Sequence, residues 1–160
     1  GSRARRTPSS RWRWVPTRSD SSSPRAARAS CGVSTSATKL LPTDFDVLAP
    51  DGSEVRILAA TERGSMAHFR LPSGGVSKAV RHRTVEEIWY VLAGQGEMWR
   101  SDVGICTCAP GVSLTIPIGV AFQFRSLGDA SFDAVAITMP PWPGEAEAEF
   151  ADGIWAPNQA

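Results

Sequence analysis

From Lys39 onward, short runs of strand-forming residues alternate with turn residues. No run carries a useful length of the 3.6-residue period of an amphipathic helix. The pattern predicts strands over residues 55–60, 66–71, 77–83, 87–93, 97–100, 104–108, 112–117, 120–125 and 132–139. Asp51-Gly52, Ser73-Gly74-Gly75, Gly94-Gln95-Gly96, Pro110-Gly111 and Gly128-Asp129 punctuate them. Strands at this spacing read as an all-β sandwich or barrel. Alternation then assigns faces, because successive side chains on a strand point to opposite sides. Phe122 and Phe124 share one side, with Gln123 and Arg125 on the other. Val80 and His82 lie opposite Arg81 and Arg83. Glu87, Trp89 and Val91 share a face, and Tyr90 points away from it.

The ends of the chain break this texture. Residues 140–160 open with Met-Pro-Pro-Trp-Pro-Gly between 139 and 144, which cannot continue a central strand. They read as a C-terminal strap over 143–160 following a barrel over 38–142, with Trp142 and Trp155 packed back onto that barrel. Residues 1–37 show no apolar period and no signal-peptide core. They are expected to form a basic, Arg/Ser-rich disordered leader, with a transit segment or translated upstream sequence as the other readings. The opening Gly1-Ser2 resembles a cloning remnant.

Charge sharpens this division. The whole chain of 160 residues carries a formal net charge of only +1. Residues 1–30 nevertheless hold eight arginines against one acid, whereas residues 31–160 hold nine basic groups against fifteen acids. An acidic body is a poor grip for phosphate backbones, so no nucleic-acid partner is expected of it. The run Arg11-Trp12-Arg13-Trp14 is the one segment that could touch nucleic acid or anionic lipid. No stretch approaches the ~18–20 apolar residues of a membrane span, so no membrane partner is expected. The three cysteines, Cys31, Cys106 and Cys108, form no framework, which suits a reducing, cytoplasmic setting or plain buried thiols. Cys106 and Cys108 share a strand face, and two thiols alone do not make a zinc site. Gly94-Gln95-Gly96 lacks the rest of a phosphate-loop fingerprint, and no serine sits in a nucleophile elbow.

Two blocks carry a family pattern. Residues 75–94 contain Gly75, Val80-Arg81-His82, Glu87 and Gly94. Residues 111–126 contain Gly111, Pro117-Ile118-Gly119, Phe122 and Ser126. These resemble the two motifs of the cupins, over a region of roughly residues 45–142. The resemblance implies a double-stranded β-helix, the jelly-roll cupin barrel, with a ligand pocket inside and often a homodimer. It also implies where a metal would sit. The family's four ligand positions fall here on Val80, His82, Glu87 and Phe122, and its terminal asparagine position on Ser126. Valine and phenylalanine offer no lone pair, and a catalytic metal normally has at least three protein ligands. No cofactor is therefore expected. If the protein is metal-dependent, with iron, manganese, nickel or zinc, then His68 would have to join His82 and Glu87 in a rebuilt site.

What remains is an imidazole and a carboxyl aimed into an apolar, aromatic pocket. His82 and Glu87 are the expected catalytic pair. Val80, Trp89, Val91, Phe122, Phe124 and His68 are the expected substrate-binding residues. The reading is a small-molecule-binding cupin-like protein performing metal-independent acid–base chemistry of the isomerase, cyclase or lyase type on a small apolar metabolite. A metal-dependent dioxygenase or isomerase and a non-catalytic binding or sensing module are the alternatives. A nearby carboxylate would raise the histidine pKa, while burial would lower it.

Overall fold

The computed structural model of the chain describes residues 38–159. The leader reading for residues 1–37, and with it the fate of Cys31 and the Trp12–Trp14 run, lies outside the described residues. Eleven strands form: β1 (Val47–Leu48), β2 (Glu54–Ala60), β3 (Ser65–Leu71), β4 (Val80–His82), β5 (Glu86–Ala93), β6 (Gln95–Arg100), β7 (Gly104–Cys108), β8 (Ser113–Ile116), β9 (Phe122–Leu127), β10 (Phe132–Met139) and β11 (Ala148–Phe150). Every expected run becomes a strand, with ends displaced by at most three residues. The only helix among the described residues is a single 3-10 turn over Glu145–Glu147.

The strands pair antiparallel in two sheets. One has the order β1-β2-β3-β10-β5-β8 and the other β11-β4-β9-β6-β7. This is the double-stranded β-helix expected above. Alternation along β5 shows how the sequence builds it. Glu87, Trp89 and Val91 are buried, while Glu86, Ile88, Tyr90 and Leu92 are exposed. The inner faces meet in one core containing Leu71, Trp89, Val91, Met98, Ile116, Phe124 and Phe132. Full burial of a single Leu, Met or Phe side chain is worth roughly 1.5–3 kcal/mol, so this cluster drives the closure of the sheets. Cys106 and Cys108 share the inward face of β7, and both are free thiols.

One glycine is sterically required. Gly94 turns the chain from β5 into β6 at φ +77°, and a Cβ there would lie 2.1 Å from the Ser131 carbonyl oxygen. Any side chain at this position would push the β9–β10 turn off the barrel.

The two short strands missing from the sequence reading have a common cause. β1 has two residues and β11 three, too few to display a period. They exist because each finds an open edge, β1 on β2 and β11 on β4. Residues 148–150 of the expected strap therefore belong to the second sheet. The rest of the tail covers the outer face of β9. There the Gln123 side-chain amide donates to the carbonyls of Ser77 and Trp155, and its oxygen accepts from the N–H groups of Ile154 and Trp155. Trp155 lies under the Arg125 guanidinium at 4.5 Å. Gln123 lies on the side of β9 opposite Phe122 and Phe124, as alternation predicts, yet it is 1% exposed because the tail adds a third layer over it.

Candidate functional site

A cavity of about 400 Å³ opens between the sheets. Its floor and walls come from β2, β3, β4, β5, β9 and β10. Its mouth is formed by residues 47–51 on one side and by Pro141, Trp142, Gly144, Glu145 and Ala148 on the other. Val80 and Phe122 face each other across the β4–β9 pairing and both line it, as do His82, Glu87 and Trp89.

His82 ends β4 and Glu87 lies near the start of β5, on different sheets. The turn between them brings His82 Nδ1 to 3.9 Å from Glu87 Oε1. This exceeds hydrogen-bond length, and His82 Nδ1 is buried without a hydrogen-bond partner. Phe122 and Trp142 approach the imidazole edge-on, with ring centroids 5.2 and 5.1 Å away. Glu87 is fixed differently. The indole Nε1 of Trp89 donates to Glu87 Oε2 at 2.7 Å, and Trp89 itself is stacked on Phe69 at 5.0 Å.

Burial governs both titrations. Desolvation lowers His82 to about 4, with the nearby Glu147 carboxylate opposing it. Desolvation raises Glu87 to about 7; the Trp89 hydrogen bond opposes this and the Asp51 carboxyl reinforces it. Of the two opposing effects anticipated for the histidine, burial wins, because its partner carboxyl is itself desolvated and is neutral at the pH where the imidazole would charge. Near neutrality the site holds a neutral imidazole beside a carboxyl poised between its two forms.

The turn that sets this distance is clamped by Glu147, whose carboxylate receives the Thr84 N–H (2.5 Å), the Thr84 hydroxyl (2.8 Å) and the Val85 N–H (2.9 Å). Burial acts to raise its pKa, but these three bonds together with the His82 charge outweigh burial and hold it below the usual range. Ser65 Oγ accepts the Trp142 N–H at 3.0 Å and holds the strap over the mouth.

Several expected binding residues lie elsewhere. His68 is corrected: it occupies the face of β3 opposite Phe69 and pairs through Nε2 with Asp133 Oδ1 at 3.0 Å. Its cross-strand neighbours are Arg56 and Val135, and it is absent from the cavity lining. Alternation explains this, since Phe69 takes the inward position. Val91 and Phe124 do point inward but are packed into the core below the cavity. Trp89 presents only part of itself, because Phe69, Phe122 and Phe124 contact its ring. Asp51 went unnoticed in the sequence. It lines the mouth, is 4% exposed, and takes the Ser53 N–H and hydroxyl on Oδ1 at 2.8 and 2.6 Å. The Asp-Gly turn signal hid it, because nothing local says that a turn aspartate is buried.

A metal does not fit these donors. Val80 and Phe122 present carbon, His68 is turned away, and His82 and Glu87 are two groups where at least three are needed. Among the described residues, no cluster of three His, Cys, Asp or Glu side chains is arranged to hold a metal ion. No helix among them is long and apolar enough to cross a membrane.

Comparison with known proteins agrees with the fold. Residues 67–138 match the family model described as Cupin domain. An uncharacterized protein of Methanocaldococcus jannaschii is 26% identical over 116 residues, covering 67% of this chain and 92% of that protein. Among solved structures, the polyketide cyclase RemF from Streptomyces resistomycificus superposes with a TM-score of 0.60 at 19% identity, covering 74% of this chain and 88% of that one. The nucleoside dehydratase Pac13 superposes with a TM-score of 0.54 at 13% identity, covering 66% and 82%. The two cupin-like motifs, the double-stranded β-helix and this match agree that residues 67–138 carry a cupin domain.

Proposed function

We propose that the protein binds a small, largely apolar organic molecule in the barrel and moves protons on it without a metal, in an isomerisation, cyclisation or elimination. The observation that carries this reading is the His82–Glu87 pair. A neutral imidazole with a free Nδ1 lies 3.9 Å from a carboxyl that burial holds near neutrality. Two titratable groups in one water-poor cavity, one pushed down and one pushed up, are what acid–base chemistry at pH 7 requires. The neutral imidazole of His82 accepts a proton from the substrate, and the protonated Glu87 delivers one through its carboxyl. Trp89 holds Glu87 in place, and the aromatic walls keep water away from the transfer. The barrel's similarity to a cyclase and a dehydratase supports this reading at the level of fold alone, and His82 and Glu87 of this chain carry it.

The test is deuterium incorporation. The protein is incubated in D2O with a panel of small ketones and enols, and carbon-bound exchange is followed by NMR. Acceleration of about 10²–10⁴-fold over buffer is expected for the compounds that bind. His82→Ala and Glu87→Gln should each remove it while leaving affinity within about tenfold. Exchange that survives both substitutions, or no exchange with any bound compound, would overturn the reading.

A further inference from the structure

The charge lining the cavity is one-sided. Its ionisable residues are Asp51, Glu87 and Glu145 together with His82, and no lysine or arginine is among the lining residues. The arginines of the surrounding strands are committed elsewhere. Arg56 donates to the carbonyls of Pro42 and Thr43 and pairs with Glu54, Arg70 binds Asp133, Arg81 binds Glu149, and Arg125 binds Glu97. Glu147 adds a further carboxylate beside His82. The described residues as a whole hold nine basic groups against fifteen acids.

Asp51 is the informative member. Its two hydrogen bonds from Ser53 both fall on Oδ1, which leaves Oδ2 for the cavity it lines. It lies close enough to Glu87 for each additional negative charge to be felt there. Burying two carboxyls in one cavity is costly; Lys78, which does not line the cavity, relieves Asp51 only in part, and each carboxyl is pushed toward its neutral form. A ligand that supplies positive charge removes this cost, whereas a carboxylate or phosphate ligand would add to it. The other walls suit the same ligand. Trp142, Trp89, Phe122 and Phe69 surround the space, and aromatic faces attract an ammonium group through their quadrupole.

Resting on the reading that this cavity is the ligand site, we propose that its ligand is an organic cation, an amine or quaternary ammonium compound with an apolar body. Its positive group is held by Asp51 and the aromatic walls, and its reacting carbon lies beneath His82 and Glu87. Anionic metabolites are excluded by the same lining.

Three probes of one shape test this: (4-hydroxymethylphenyl)trimethylammonium, its uncharged isostere 4-tert-butylbenzyl alcohol, and 4-tert-butylbenzoate. Their binding to the unaltered full chain is measured by calorimetry. The cation should bind at least about tenfold more tightly than the neutral isostere, and the benzoate should not bind. Added salt should weaken the cation alone. Asp51→Asn should bring the cation and the alcohol to equal affinity. Should that variant fail to fold, the isostere comparison on the unaltered protein decides the matter. An alcohol that binds as tightly as the cation, or a benzoate that binds at all, would overturn the proposal, as would the absence of binding by all three at millimolar concentration. The outcome is independent of the acid–base reading. Cation preference without deuterium exchange sinks only the chemistry, and exchange without cation preference sinks only the charge of the ligand.

Discussion

Trp89 Nε1 donates to Glu87 Oε2 across two residues of the same strand, at 2.7 Å. Both side chains point inward because strand alternation puts i and i+2 on one face. The same indole stacks on Phe69 of β3, two strands away in the same sheet. One residue thus joins the packing of the core to the ionisation of the site, since its hydrogen bond opposes the effect of burial on Glu87.

Trp89→Phe keeps most of the packing and removes that bond. The Glu87 midpoint should move further up from about 7, read from carboxyl-selective 13C NMR against pH. Stability should fall by about 1–3 kcal/mol from an under-satisfied buried acceptor. An unmoved Glu87 midpoint would show that the contact does not govern its ionisation.

The pair predicts a particular pH dependence. Glu87 is raised in the folded state, so its contribution is fully present below about 4.5 and is lost as pH rises through about 7. His82 is lowered in the folded state, so the unfolded chain binds the extra proton between about 4 and 6.5, and stability falls as pH drops through that window. The two slopes oppose each other and leave a plateau between about 4.5 and 6.5. Glu87→Gln should abolish the plateau, and the stability difference between wild type and variant should shrink by about 3 kcal/mol from pH 4.5 to 7. Urea midpoints measured across that range check this. Parallel curves for the two proteins would contradict it.

Val80 and Phe122 are direct cross-strand partners at the positions where the family places its missing histidines. Val80→His with Phe122→His should create zinc or nickel binding measurable by calorimetry, with His82 and Glu87 as the other ligands. The unaltered protein should keep its melting temperature and activity in the presence of a chelator. A folded double variant that binds no metal would mean these four side chains do not converge.

Glu147 clamps the turn that sets the His82–Glu87 distance, through three hydrogen bonds from Thr84 and Val85. Glu147→Ala leaves the buried Val85 N–H unpaired, frees the part-buried Thr84 donors, and should cost about 1–3 kcal/mol. It should also lower the His82 midpoint further, because the carboxylate that favours the imidazolium is gone. Glu147→Gln should recover part of the stability and none of the His82 shift. If both variants leave the histidine titration by 1H–15N NMR unchanged, Glu147 has no electrostatic part in the site.

Much of this protein is written in its local pattern. Strand alternation is a two-residue rule, so Glu87, Trp89 and Val91 could be assigned to one face before any pairing was known, and the turn residues bounded the strands. The resemblance to the two cupin motifs implied one cavity shared by His82, Glu87, Val80 and Phe122, and all four line it. Alternation says which side a residue faces but not what covers that side. Gln123, on an outer face, is buried because the C-terminal tail returns over it. His68 alternates opposite Phe69, and only the pairing of β3 with β10 delivers Asp133 to it. Asp51 reads as an ordinary turn aspartate until the β1–β2 loop folds into the mouth. The protonation states are likewise tertiary facts. Residue type supplies the ordinary pKa, but desolvation depends on every element packed around the group, and that sum exists only in the closed barrel.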